Sequence, residues 1–176
     1  EVISVVLERL PSLTDDDRME GLIAGQAYAN RLGITGVLDA RITEMEARIY
    51  ARGEAEDALT LRVAGTALVT EADTPDSALA RLSALRAAHP GPDFHVHSAK
   101  FFMDGVFENR TAANLAPYSD AEGGNAACMF SLDHTKALMT ALDAARFAIH
   151  VHVIGDAACR RALEGLEAAR AANGPW

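Results

Sequence analysis

Ten residues near the end of the chain, 147–156 (FAIHVHVIGD), constrain the fold more than any other stretch. Alternation sends Phe147, Ile149, Val151 and Val153 to one face and Ala148, His150, His152 and Ile154 to the other, which is the period of a β-strand. Gly155 and Asp156 end the strand, and a helix follows at once. A buried strand that runs directly into a helix is the repeating unit of a parallel α/β protein. Such proteins keep their chemistry at the carboxyl ends of their strands, and His152 lies near such an end.

The same unit recurs upstream. Thr14 reads as an N-cap, with Asp17 as the acid of a capping box and Asp15 and Asp16 at the positive end of the helix dipole. Met19, Leu22, Ile23, Ala27 and Leu32 fall near one helical face, and Gly33 stands where a helix C′ glycine belongs. Residues 34–40 (ITGVLDA) then make a short strand ending at Asp39. A second helix is expected over 44–52, stopped by Gly53, and a second strand over 59–69. Thr74 caps a third helix with Pro75 at its first position. The third strand spans 94–103, and Ser131 caps a fourth helix. Residues 1–10 are expected to form a helix or an extended arm. Strands separated by single helices predict parallel βαβ units with right-handed crossovers. Residues 104–126 show no period, and a loop of that length in a compact domain is commonly functional. It follows the carboxyl end of the third strand, where a barrel enzyme builds its site.

Lys100 is the second chemical clue. It lies in an otherwise apolar strand ending in Asp104-Gly105, and lysine is rarely buried unless it is paired or used. Strand parity groups it with Ser98, Phe102 and Asp104. Two readings stand: a metal ligand after carboxylation or a base, or an ammonium paired with Asp104. His152 is a candidate imidazole ligand, with His150 one step deeper on the same face; a hydrogen-bonded core role is the alternative for each. Asp156 either caps the last helix or serves a site at the strand mouth. His95 and His97 have parity opposite to Lys100, so a regular strand points them at the covering helices in a structural role.

Composition narrows the classes. The 176 residues are 49% hydrophobic, enough for one domain with a core, and the formal net charge of -9 argues against nucleic acid or an anionic membrane as partner. No apolar run is long enough to span a bilayer; the location is left open, with the cytoplasm favoured. Cys128 and Cys159 form no disulfide framework. The chain begins at Glu1 and stops just past a helix where another strand is due, so we expect it to be a piece of something longer.

Residues 100–118 (KFFMDGVFENRTAANLAPY) resemble the fourth-strand segment of the amidohydrolase superfamily, in the branch that contains N-substituted formamide deformylases. There a K-x-F-x-D-G strand precedes a loop with T-A and P-Y. Residues 150–169 (HVHVIGDAACRRALEGLEAA) resemble that branch's fifth strand and helix, residues 32–40 (LGITGVLDA) its second strand, and residues 59–63 (LTLRV) its third. The resemblance implies a parallel (β/α) half-barrel, strands two to five of a TIM-barrel metal-dependent hydrolase, over residues 1–176. It implies a divalent metal, zinc first, with Lys100, carboxylated, and His152 among its ligands. His150, Asp104, Tyr118 and Asp156 would contact substrate or support the ligands. The family's strand-one H-x-H, strand-six histidine and strand-eight aspartate have no counterpart here, so no catalytic residue is assigned and the piece alone is expected to be inactive. The activity implied is hydrolysis of carbon–nitrogen bonds in a small, amide-like substrate. A non-catalytic α/β binding or oligomerising module, or a lysine-dependent barrel lyase, are the alternatives.

Three expectations can be checked in a structure or in solution. Lys100 and His152 should face the same side of the sheet, residues 104–126 should lie over its carboxyl end, and the open edges should make the fragment self-associate.

Overall fold

The computed structural model describes residues 9–120 and 123–175, so most of the expected helix or arm over 1–10 lies outside the described residues. In chain order the elements are α1 (Asp15–Arg31), β1 (Gly36–Ile42), α2 (Glu44–Ala55), β2 (Arg62–Leu68), α3 (Pro75–Ala88), β3 (Phe94–Phe102), α4 (Leu132–Ala144), β4 (Ala148–His152) and α5 (Asp156–Asn173). The four strands form one parallel sheet in the order β1-β2-β3-β4. Successive right-handed crossovers between neighbouring parallel strands put every helix on one face and leave the other bare. The result is half of a (β/α)8 barrel.

Local chemistry sets the helix starts. Thr14 and Asp17 make the expected capping box, and Thr43 with Glu46 makes another. Thr74 and Ser77 cap α3 with Pro75 at its first position, and the Ser131 hydroxyl caps α4. Gly33, at φ +79°, closes α1 as expected. Gly53 does not stop α2, which runs on to Ala55. It is buried instead, and a Cβ there would sit 3.1 Å from Leu22 Cδ2, so its small size lets α1 and α2 approach.

The core fills the space between the sheet and its helices. β2 contributes Val63 and Ala67, with Val69 just past its end, and β3 contributes Phe94, Val96, Ala99 and Phe101, with Met103 just past its end. They pack on Ala47 of α2, Leu82 and Leu85 of α3, Leu138, Met139 and Leu142 of α4, and Ala158 and Ala162 of α5. Gly65 is needed where Ile42 and Phe94 press against β2: a Cβ would overlap the Ile42 side chain.

Two irregularities re-aim side chains. In β1, Asp39 pairs with Gly65 but Ile42 pairs with Ala67, so β1 carries one extra residue. The insertion lies after Asp39. Asp39, opposite Gly65, faces the helix layer in ordinary alternation with Val37, and its carboxylate accepts the Tyr50 hydroxyl at 2.8 Å there. The extra residue returns Ile42 to that same layer. In β3, Val96 pairs with Gly65 and Ser98 with Thr66, so His97 is an inserted bulge residue. Before it, Phe94 and Val96 face the helices; after it, Ala99, Phe101 and Met103 do. His95 and His97 therefore do not point at the covering helices. Both are exposed on the bare face, the face that Lys100 shares.

Among the described residues no helix is long and apolar enough to cross a membrane.

Candidate functional site

The bare face of the sheet would line the barrel interior, and its carboxyl end gathers the residues singled out above. Lys100 stands opposite Leu68 of β2 and His150 of β4; Phe102 stands opposite His152. The three nitrogen bases thus share one face, joined through the Phe102 ring. The Lys100 Nζ lies 4.6 Å from the Phe102 ring centre, and the His152 ring centre lies 5.4 Å from it.

Lys100 is only 4% exposed, yet among the described residues no carboxylate lies within ion-pair distance of its ammonium. Burial costs the charged form its hydration, and it lowers the Lys100 pKa from the ordinary value of 10.5. Pairing with Asp104 is excluded by what Asp104 does. Its carboxylate, 1% exposed, accepts the backbone N–H of Ala113 at 2.9 Å, of Ile154 at 3.0 Å and of Gly155 at 2.7 Å. One side chain at the end of β3 thereby ties the long loop to the junction of β4 and α5.

The same turn orients His152. Its Nε2 lies 2.9 Å from the Gly105 carbonyl oxygen. A carbonyl can only accept, so Nε2 carries the proton, and in the neutral ring Nδ1 holds the free lone pair. His150 sits one layer deeper, its Nδ1 3.5 Å from the Thr66 hydroxyl, which in turn lies 3.0 Å from the Ser98 hydroxyl. Burial, and then the charge of Lys100, lower the His150 pKa from 6.5. Near neutral pH it is an uncharged imidazole.

The loop is fastened at the carboxyl ends of β3 and β4. Met129 N–H reaches the Met103 carbonyl at 2.8 Å, and the Ala113 carbonyl accepts from Ala157 at 3.1 Å. Gly155 is required there, since a Cβ would overlap the Ala113 backbone. Asp156 makes no side-chain cap on α5; its carboxylate accepts the Leu115 N–H at 2.6 Å and so pins the loop from outside. Tyr118 belongs to the loop's own packing: its hydroxyl donates to the Ala112 carbonyl at 3.1 Å, with Arg110 stacked 4.7 Å above the ring. Arg110 also bonds Asp120 and the Gly123 carbonyl. Lys100, His150 and His152 are thus brought together, while Asp104, Asp156 and Tyr118 hold the surrounding backbone.

The sequence reading missed the bulge and the Thr66–Ser98 hydroxyl pair. The bulge had a signal: the strongly apolar positions along β3 and just past its end change parity, from Phe94 and Val96 to Ala99, Phe101 and Met103.

Among the described residues no three His, Cys, Asp or Glu side chains gather closely enough to hold a metal ion.

A family model described as the amidohydrolase family matches residues 4–175. Two solved structures have the same fold over nearly the whole chain. An uncharacterized metal-dependent hydrolase from Pyrococcus horikoshii OT3 aligns with TM-score 0.73 at 23% identity over 93% of this chain. Another from Pyrococcus furiosus aligns with TM-score 0.75 at 23% identity over 95% of it. The chain spans 32% of the first and 34% of the second, about a third of each. No curated protein matches it.

Proposed function

The chain belongs to the amidohydrolase family, and on that premise we propose that it forms the central part of a metal-dependent hydrolase that cleaves carbon–nitrogen bonds in small, amide-like, non-peptide substrates. The observation that carries this reading is the buried, unpaired Lys100 beside His152 at the carboxyl end of a half-barrel.

Each residue has a part that follows from its surroundings. Burial favours the free amine of Lys100, and the free amine is the nucleophile that adds carbon dioxide. The nitrogen lone pair forms the new N–C bond, one C=O π pair moves to oxygen, and the ammonium proton leaves to solvent. Lys100 then offers two carboxylate oxygens as ligands. His152, with Nε2–H held by Gly105, offers Nδ1. Neutral His150 supports the face beside them without adding charge. The remaining ligands, and the acid–base aspartate the family uses, would come from other strands of the barrel, since a catalytic zinc normally takes three protein ligands. A divalent ion, zinc first, would acidify a water and polarise the scissile carbonyl. The Asp104 and Asp156 ties would keep the loop over this end of the barrel.

The test is metal content and turnover of the complete protein. Lys100→Ala and His152→Ala should each lose most of the bound metal and hydrolysis of simple N-acyl or N-formyl amines. Full metal occupancy and rate in both variants would overturn the assignment. The lowered amine would also suit a Schiff-base lyase. Borohydride trapping of a carbonyl compound on Lys100 would favour that reading instead.

A further inference from the structure

The peptide unit that joins Gly105 to Val106 carries a relay that ends at His152. Its carbonyl accepts the His152 Nε2–H at 2.9 Å, and its N–H, that of Val106, donates to the Thr111 hydroxyl oxygen at 2.9 Å. The Thr111 hydroxyl proton is directed to the Val106 carbonyl at 3.2 Å, so the oxygen is left to accept. Backbone bonds close the turn around it. Gly105 N–H reaches the Thr111 carbonyl at 2.9 Å, and Thr111 N–H reaches the Val106 carbonyl at 3.0 Å. Gly105 is required for this fit, since a Cβ there would overlap the Thr111 side chain. Every group in the relay lies in this chain.

The same glycine leaves the peptide free to turn. Without a Cβ, Gly105 tolerates both orientations of the 105–106 peptide plane. In the opposite orientation the Val106 N–H would point toward His152. An N–H can only donate, so Nε2 would have to accept and the ring proton would move to Nδ1. The Thr111 hydroxyl holds the Val106 N–H on the far side. We propose that Thr111 is a positioning residue: by anchoring the 105–106 peptide it sets the tautomer of His152 and keeps Nδ1 free as a donor to a metal ion. The hydroxyl also polarises the peptide, which strengthens its carbonyl as an acceptor for the imidazole N–H. The tautomer follows from these hydrogen bonds; its use in metal binding rests on the hydrolase reading above.

Nitrogen NMR of the complete protein, metal-free and carrying isotope-labelled histidine, tests it under alkaline conditions where imidazole is neutral. His152→Gln identifies the His152 signals. In the unaltered protein Nε2 should show the shift of a protonated ring nitrogen and Nδ1 that of a bare one. Thr111→Val keeps the shape and removes the hydroxyl; it should move the two signals toward each other as both tautomers become populated. Thr111→Ser should restore them. A proton on Nδ1 in the unaltered protein would overturn the proposal without any variant. Thr111→Val signals identical to those of the unaltered protein, or Thr111→Ser behaving like Thr111→Val, would overturn it too. Zinc binding is measured separately on the same samples. A His152 that responds to Thr111 as stated in a protein that binds no zinc would defeat the hydrolase reading and leave the relay in place. Zinc held by Lys100 and His152, with a tautomer indifferent to Thr111, would defeat the relay alone.

Discussion

Lys100 and His150 face each other directly across the β3–β4 ladder, two bases on one half-buried surface with no acid between them. After burial, the charge of Lys100 is what lowers the His150 pKa. Lys100→Met keeps the volume and removes the charge. An NMR titration of the variant should place the His150 pKa above its value in the unaltered protein. An unchanged or lower value would mean that the two groups are not electrostatically coupled.

The lowered His150 pKa also predicts how stability depends on pH. The unfolded chain takes up this proton near pH 6.5, while the folded protein takes it up only at lower pH. Between those two values the unfolded state binds more protons, so stability rises with pH. The contribution is complete above 6.5 and is lost as the pH falls through the folded value. Urea denaturation across this interval should show a weaker acid slope in His150→Gln. An identical slope would assign the acid sensitivity to other groups.

Asp104 holds three backbone N–H groups from two segments distant in sequence. Asp104→Asn keeps one oxygen and turns an NH2 toward the remaining donors. The loss should be about 2–4 kcal/mol of stability by urea denaturation. Amide exchange should quicken at Ala113 and Gly155 together. Exchange at only one of them would show that the tie does not couple the loop to the start of α5.

Much of this was legible in the sequence because local chemistry decided it. Thr14, Thr74, Pro75 and Ser131 mark helix starts by hydrogen bonds within one turn, and strand alternation put His150 and His152 on one face. Long-range packing decided the rest. Gly53 looks like a helix stop until Leu22 is seen against it. Asp104 looks like a partner for Lys100 until Ala113, Ile154 and Gly155 are seen to occupy it. His97 breaks the parity of β3, and a reading that assumes unbroken alternation turns His95 and His97 to the wrong side.

The half-barrel leaves β1 and β4 as open edges, with Leu38 (49% exposed) and Ile154 (39%) on its bare face. Each such side chain leaves about 1.5–3 kcal/mol of burial unrealised, and open parallel edges invite pairing. Net charge of -9 opposes association, but screening weakens it at physiological salt. Light scattering on this chain at micromolar concentration should find dimers or larger species. A monomer throughout would mean that the bare face is tolerated in water.

The most direct test of the proposed centre is anomalous diffraction at the zinc edge from the complete protein crystallised with zinc and bicarbonate. A peak is predicted about 2.0–2.2 Å from His152 Nδ1 and from an oxygen of carboxylated Lys100. A fully occupied zinc bound elsewhere, with Lys100 a free amine and His152 Nδ1 without a metal, would contradict the assignment.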